Sequence, residues 1–451
     1  MPLPSCNRHI YLAGYTAEEE QAEMVGARST QRSLWRDHDF MTFWVGETIS
    51  LFGSQVTLLA LPFTAIVLLD ASPSELGFIG AAGVAPFLLL TLFVGVAVDR
   101  WSRRRMMLVA NVARGVLLAV IPVLAVFDVL KVWQLVLIAF GVGVGQVFFE
   151  LAYQSYVPHL VSREQLVEGN GKLQASAAAA DVGGPGLAGL LIQAVTAPYA
   201  VVIDAVSFLL SAAAIARMRA PEPPIERRGR PRVRAEIGEG LRLVFGDRRL
   251  RAMAGEATTY NLGFTVIETV FLLYAVDELG LNAAVVGLVF SIGSVGALLG
   301  ALLAEPARRR VGLGVAMTTS YVFACLPALL IPLAGPGVPF VVGLLAGTYL
   351  LVGFGVASSQ VYVYSLRQGI TPDRLLGRMN SAYRFFVTGM LPIGALLGGA
   401  LGELIGLRST LVVGSVLVAL AVVWILASPI PRLRDIPQLP GRGAAVGAHE
   451  T

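Results

Sequence analysis

The sequence predicts an all-α integral membrane protein, with twelve transmembrane helices in two six-helix, pseudo-symmetric bundles. Three observations carry this. Twelve apolar runs of about 20 residues or more succeed one another, each long enough to cross the hydrocarbon core of a bilayer. A polar, arginine-rich stretch divides them six and six. Landmarks of the first half recur in the second at nearly constant spacing, as an internal duplication would leave them. The composition agrees: 55% of the 451 residues are hydrophobic, 14% are charged, and the mean hydropathy is +0.71.

In chain order, residues 1–39 read as a tail ending in Arg36-Asp37-His38-Asp39. The N-terminal bundle, 40–219, holds runs at 40–69, 75–98, 106–127, 131–157, 173–196 and 198–219. A central loop, 220–251, follows. Within it Pro221 to Pro231 is linker, while Ile237, Leu241, Val244 and Phe245 fall at helical spacing. That spacing suits a short helix on the membrane surface, and an ordinary solvated linker equally well. The C-terminal bundle, 252–428, holds runs at 252–277, 284–304, 312–334, 337–366, 376–404 and 408–428, and a Pro/Gly-rich tail, 429–451, ends the chain. The first 30 residues are mixed polar, so no cleaved signal peptide is expected.

Loop charge orients the bundle. One side collects Arg100, Arg103, Arg104 and Arg105, then Arg163 and Lys172, Arg308, Arg309 and Arg310, Arg367, Arg374 and Arg378, and the central stretch. The other side has only Lys131 and Arg408. Arginine-rich loops stay in the cytoplasm, so both termini are expected there, in a multi-pass protein of the cell membrane. The repeat is read from three matches. Gly46-Glu47 recurs 209 residues on as Gly255-Glu256, and Asn170 and Gly184 recur 210 on as Asn380 and Gly394. The hairpin at Asp99 recurs, degraded, 206 on at Glu305.

Several function classes are excluded. The formal charge of +4 sits in short loops with no continuous stripe, which excludes a nucleic-acid partner. A phosphate loop needs Gly-Lys before Ser or Thr, and the two lysines, Lys131 and Lys172, precede Val and Leu. Cys6 and Cys325 make no disulfide framework, and His9, His38, His159 and His449 all fall outside the apolar runs. No metal, no cofactor and no enzymatic activity are expected.

Gly95-Val-Ala-Val-Asp99-Arg100-Trp-Ser-Arg103-Arg104-Arg105 is a tight basic hairpin between two spans. Its pattern, Gly-x-x-x-Asp-Arg-x-x-Arg-Arg, resembles the signature between the second and third helices of the major facilitator superfamily. The resemblance implies that fold, and it implies a conformational latch at Gly95, Asp99, Arg100, Arg103 and Arg104 that ties the halves together through the N-terminus of the eleventh helix. Gly184-Pro185-Gly186-Leu187-Ala188-Gly189 looks like the Gly-Pro-x-x-Gly-Gly motif of the superfamily's antiporters, with Gly184, Pro185 and Gly189 matching. Proline bends a helix and small residues let a neighbour approach. Further stretches, Gln146 to Glu150, Pro158 to Leu166 and Glu239 to Leu243, resemble the macrolide and enterobactin-type siderophore exporter branch. The resemblance covers about residues 35–428 and implies a monomeric exporter of an amphipathic small molecule; an uptake permease is the rival.

Charges inside spans are costly and so are functional candidates. At ~1.5 Å per residue, Glu47, Arg114, Glu150, Asp181, Glu256 and Arg384 all fall roughly 10–12 Å from the cytoplasmic ends. A carboxylate in a low-dielectric cavity can bind and release a proton near neutrality. The proton-coupling candidates are Glu150, Glu47, Glu256 and Asp181, in that order, with Arg114 beside Glu150 as partner or neutraliser. Gln55, Gln146, Tyr153, Asn261, Gln360 and Tyr364 put polar or aromatic groups on the helices that face the cavity in this fold, as candidates for substrate contact.

Overall fold

Short polar side chains open five of the described crossings by taking up free N–H groups of a first helical turn. Asp37 accepts from Phe40 N at 2.9 Å and starts α1 (His38–Phe63). Ser72 and Glu75 exchange side-chain bonds at the start of α2 (Pro73–Val98). Ser102 caps α3 (Arg103–Val126). α4 (Val132–Leu160), α5 (Leu166–Val195) and α6 (Ala197–Arg217) complete the first bundle. After α7 (Val233–Gly246), the second bundle runs through α8 (Arg248–Leu273), α9 (Ala283–Val311), α10 (Leu313–Cys325), α11 (Pro339–Ile370), α12 (Leu376–Ile405) and α13 (Leu407–Leu426). This computed structural model describes residues 34–98, 101–162, 165–219, 233–335, 339–372 and 375–437. Among the described residues there is no strand, and twelve helices are long and apolar enough to span a membrane.

The two bundles repeat at one offset. His38 and Arg248, Pro73 and Ala283, Arg103 and Leu313, Leu166 and Leu376, and Ala197 and Leu407 open matching helices, each pair 210 residues apart. α1 and α8 both run on into a π-helical turn, Thr64–Leu68 and Tyr274–Glu278. Asp70 and Gly280 take positive φ at matching turns, as do Thr196 and Gly406. The offsets of 209 and 206 read from the sequence are therefore corrected. A spacing of 210 sets Glu47 against Ala257, and Glu305 against Gly95. Chance similarity in Gly-rich, Arg-rich segments had shifted both.

The halves meet backbone to backbone at the end of the bundle away from the termini. On α2 a methyl group at Gly77 would lie 2.7 Å from the Ala395 carbonyl and 3.0 Å from Gly399 Cα, on α12. On α5, Gly189 is as close to Ala284 of α9, and the Gly186 N–H donates to Ser291 Oγ at 2.8 Å. Pro185 and Gly189 of the antiporter-like motif thus lie in the α5–α9 seam, while Gly184 packs on Gln55 inside its own half.

Three expectations change. α5 starts at Leu166, earlier than the run at 173, because its first turns are polar (Glu168, Asn170, Lys172) and invisible to hydropathy. α7 is a helix docked on α12 rather than a solvated linker: Glu239 pairs with Arg378, Gly240 abuts the Arg378 carbonyl, and Phe245 meets Phe386 edge-on. Of the latch residues, Asp99 and Arg100 lie outside the described residues; Gly95 is near the end of α2 and Arg103 opens α3. Arg104 donates to the carbonyls of Ile215 (3.0 Å) and Ala216 (2.9 Å), so it caps the C-terminus of α6 in its own half.

Asp247 caps α8, accepting from the N–H groups of Arg249 (2.7 Å) and Leu250 (3.3 Å) and pairing with the Arg249 side chain at 2.8 Å. Burial pushes its carboxyl up, but these bonds and the Arg249 charge together outweigh burial and hold it below its ordinary value. The stabilisation is therefore present above the unfolded value, about 3.9, and is lost as pH falls through the lower folded value. Asp247→Ala should cost about 1 kcal/mol at pH 7. The gap in thermal unfolding between the two proteins should close in strong acid.

Candidate functional site

A cavity of ≈ 580 Å³ opens among α8, α10, α11 and α12, with one side chain, Glu150 of α4, contributed by the other half. Glu256 enters from α8. It is 5% exposed, faces the Tyr321 hydroxyl, and receives the Cys325 thiol at 3.9 Å. Arg367, near the end of α11, is buried with its guanidinium 3.8 Å above the Tyr383 ring and bonded to Asn380. Asn261 donates to the Val387 carbonyl at 3.0 Å and so joins α8 to α12. Gln360 and Tyr364 line the wall from α11, and Tyr260 stacks on Phe264 to line it from α8. The result is an aromatic chamber carrying two carboxylates and two guanidinium groups.

Glu150 and Arg384 form an ion pair at 2.8 Å that joins the two halves. Its two side chains are 27% and 52% exposed, so solvent screens much of the attraction. The sequence reading set Arg114 beside Glu150; the structure corrects this. Arg114 is bonded to Asn111 and Gln146 and sits between the rings of Phe149 (4.7 Å) and Phe208 (4.1 Å). The carboxylates facing it are Glu47 and Asp204. Depth along a helix carries no information on azimuth.

The remaining candidates divide by half. Asn261, Gln360 and Tyr364 line the cavity. Gln55, Gln146 and Tyr153 are not among its lining residues. Gln55 donates to Asp181 at 2.7 Å, Gln146 accepts from Arg114, and Tyr153 stacks between Phe43 and Phe149. Each satisfies a polar or aromatic neighbour in the first bundle. The sequence reading missed Tyr260, Tyr321, Asn380 and Tyr383, and counted Arg367 as a loop charge. Arg367 follows its apolar run by one residue, because an arginine itself ends a hydropathy window. The signal available was Tyr364 three residues before it, on the same helix face.

The family model for the Major Facilitator Superfamily matches residues 43–390 and 257–448. The multidrug efflux pump Tap of Mycolicibacterium fortuitum is 27% identical over 409 residues, 85% of this chain and 93% of that protein. Macrolide efflux protein A of Streptococcus pyogenes is 24% identical over 401 residues, 87% and 97% of the respective lengths. Of the solved structures, the nucleoside transporter NupG shares the fold at a TM-score of 0.70 and 12% identity, over 86% of this chain and 98% of that one.

The Glu150–Arg384 pair should behave as a half-exposed bridge. Arg384→Glu is expected to lower thermal stability by up to about 1 kcal/mol. Adding Glu150→Arg should restore most of it in a double-mutant cycle.

Proposed function

This chain belongs to the major facilitator superfamily, and from that premise we propose that it exports a hydrophobic or amphipathic small molecule, of drug, macrolide or siderophore type, in exchange for protons. It is a multi-pass membrane transporter and not an enzyme. The export reading draws support from the two efflux relatives and from the α5 motif seated in the seam between halves. Loop arginines support a cell-membrane location with both termini in the cytoplasm. We take the working unit to be a monomer.

One observation carries the mechanism. Among the described residues that line the cavity, the one side chain from the first half is Glu150, and it is bonded to the other half through Arg384. A proton delivered to Glu150 cancels the charge that holds Arg384, so protonation and release of the halves become one event. Alternating access then follows as one bundle rocks against the other around a fixed site. The aromatic wall holds an apolar body, and the few polar groups fix its orientation.

Labelled erythromycin should accumulate less in cells that express the protein than in cells without it, and a protonophore should erase the difference. Greater accumulation on expression would instead favour the uptake permease. Glu150→Gln should lower proton-dependent transport while membrane insertion is unchanged; wild-type rates in that variant would remove Glu150 from the coupling path.

A further inference from the structure

The cavity uses Glu150, Glu256, Arg367 and Arg384. It leaves unexplained a second set of charges, buried in the first bundle. Asp204 on α6 is 1% exposed, receives the Ser207 hydroxyl at 3.0 Å and has Ser54 on its other flank. Gly53 lets it press against α1, since a methyl there would lie 2.7 Å from its Oδ1. Arg114 on α3 is 2% exposed, and its Nε is buried without a partner. Glu47 on α1 faces the same guanidinium and has a buried, unpartnered Oε2. Tyr153 of α4 is the other titratable group that faces Glu47.

Both carboxylates therefore feel the field of one guanidinium, without a contact ion pair from either. With both ionised, the cluster carries one uncompensated negative charge where desolvation is severe. One added proton makes it neutral. A metal cation would be repelled by Arg114, whereas a proton on a carboxyl oxygen needs neither space nor further ligands. The fold does not ask for these charges. At the matching positions, 210 residues on, the second bundle builds the same helices with Ala257, Ala324 and Gly414.

We propose that Glu47, Arg114 and Asp204 form a seat for one coupling proton, housed in the opposite half from the substrate cavity. Glu47, which is only partly buried, is the entry, and Asp204 is the enclosed end. Arg114 bonds Gln146, one helical turn before Glu150 on α4, so filling the seat bears on the bridge between the halves. What the proton drives rests on the export reading; that the site binds a proton does not.

The test is an infrared pH titration of the full-length protein in liposomes, reading the carbonyl stretch of buried protonated carboxyl groups. Wild type should show such a band titrating with pH. Glu47→Gln and Asp204→Asn should each remove the cluster's share of it, leaving what the buried Glu256 contributes, and Glu150→Gln should keep it whole. The wild-type spectrum in either folded cluster variant overturns the proposal, and either variant decides alone should the other fail to fold. Replacing choline by sodium should leave the band in place; its loss would mean a sodium site and would also overturn the proposal. In proteoliposomes, wild type should move erythromycin against a pH gradient, and Glu47→Gln should move it without one. An intact infrared result with no erythromycin movement by wild type supports the proton seat while refuting the export reading for that probe.

Discussion

A charge inside a bilayer has no water to fall back on, and the arrangement of this protein follows from how its buried charges are met. An unpaired ion in hydrocarbon is costly enough that each must find a partner, a proton or a polar lining. Here the solutions differ between the bundles. In the first, Arg114 sits between two aromatic rings and faces two carboxylates. In the second, Glu256 and Arg367 are met by tyrosine, cysteine and asparagine side chains around an open chamber. Glu150 and Arg384 meet across the divide.

That asymmetry lies on a symmetric frame. Five helix starts, the π-turns and two pairs of positive-φ residues repeat at 210 residues, yet none of the charged positions in one cluster is charged in the other bundle. The frame supplies rigid bundles that can rock; the charges supply what one bundle does that the other does not. The glycine seams are the complement of this. Close backbone approach along α2–α12 and α5–α9 gives the halves a contact made largely of small residues, with the Gly186–Ser291 hydrogen bond as its polar element.

Much of the fold was legible in sequence because bilayer thickness imposes a length on apolar runs that few other constraints mimic. Helix ends were less legible. The polar first turns of α5 and the prolines Pro327 and Pro332, which turn the end of the ninth span into a 3-10 helix, do not register as hydropathy. α7 could be read as helical from its spacing, but its docking face on α12 depends on Arg378 and Phe386, far away in the chain.

The sequence by itself determined the number of crossings, their division and the identity of the costly charges, since each is a local property of composition and length. The tertiary structure alone decided the pairings. Glu150 meets Arg384 rather than Arg114, Gln55 meets Asp181, and Arg367 lies over Tyr383. Which faces of two helices touch depends on azimuth and crossing geometry, and those are fixed by contacts between residues more than a hundred positions apart or, for Arg367 and Tyr383, on opposite sides of a turn.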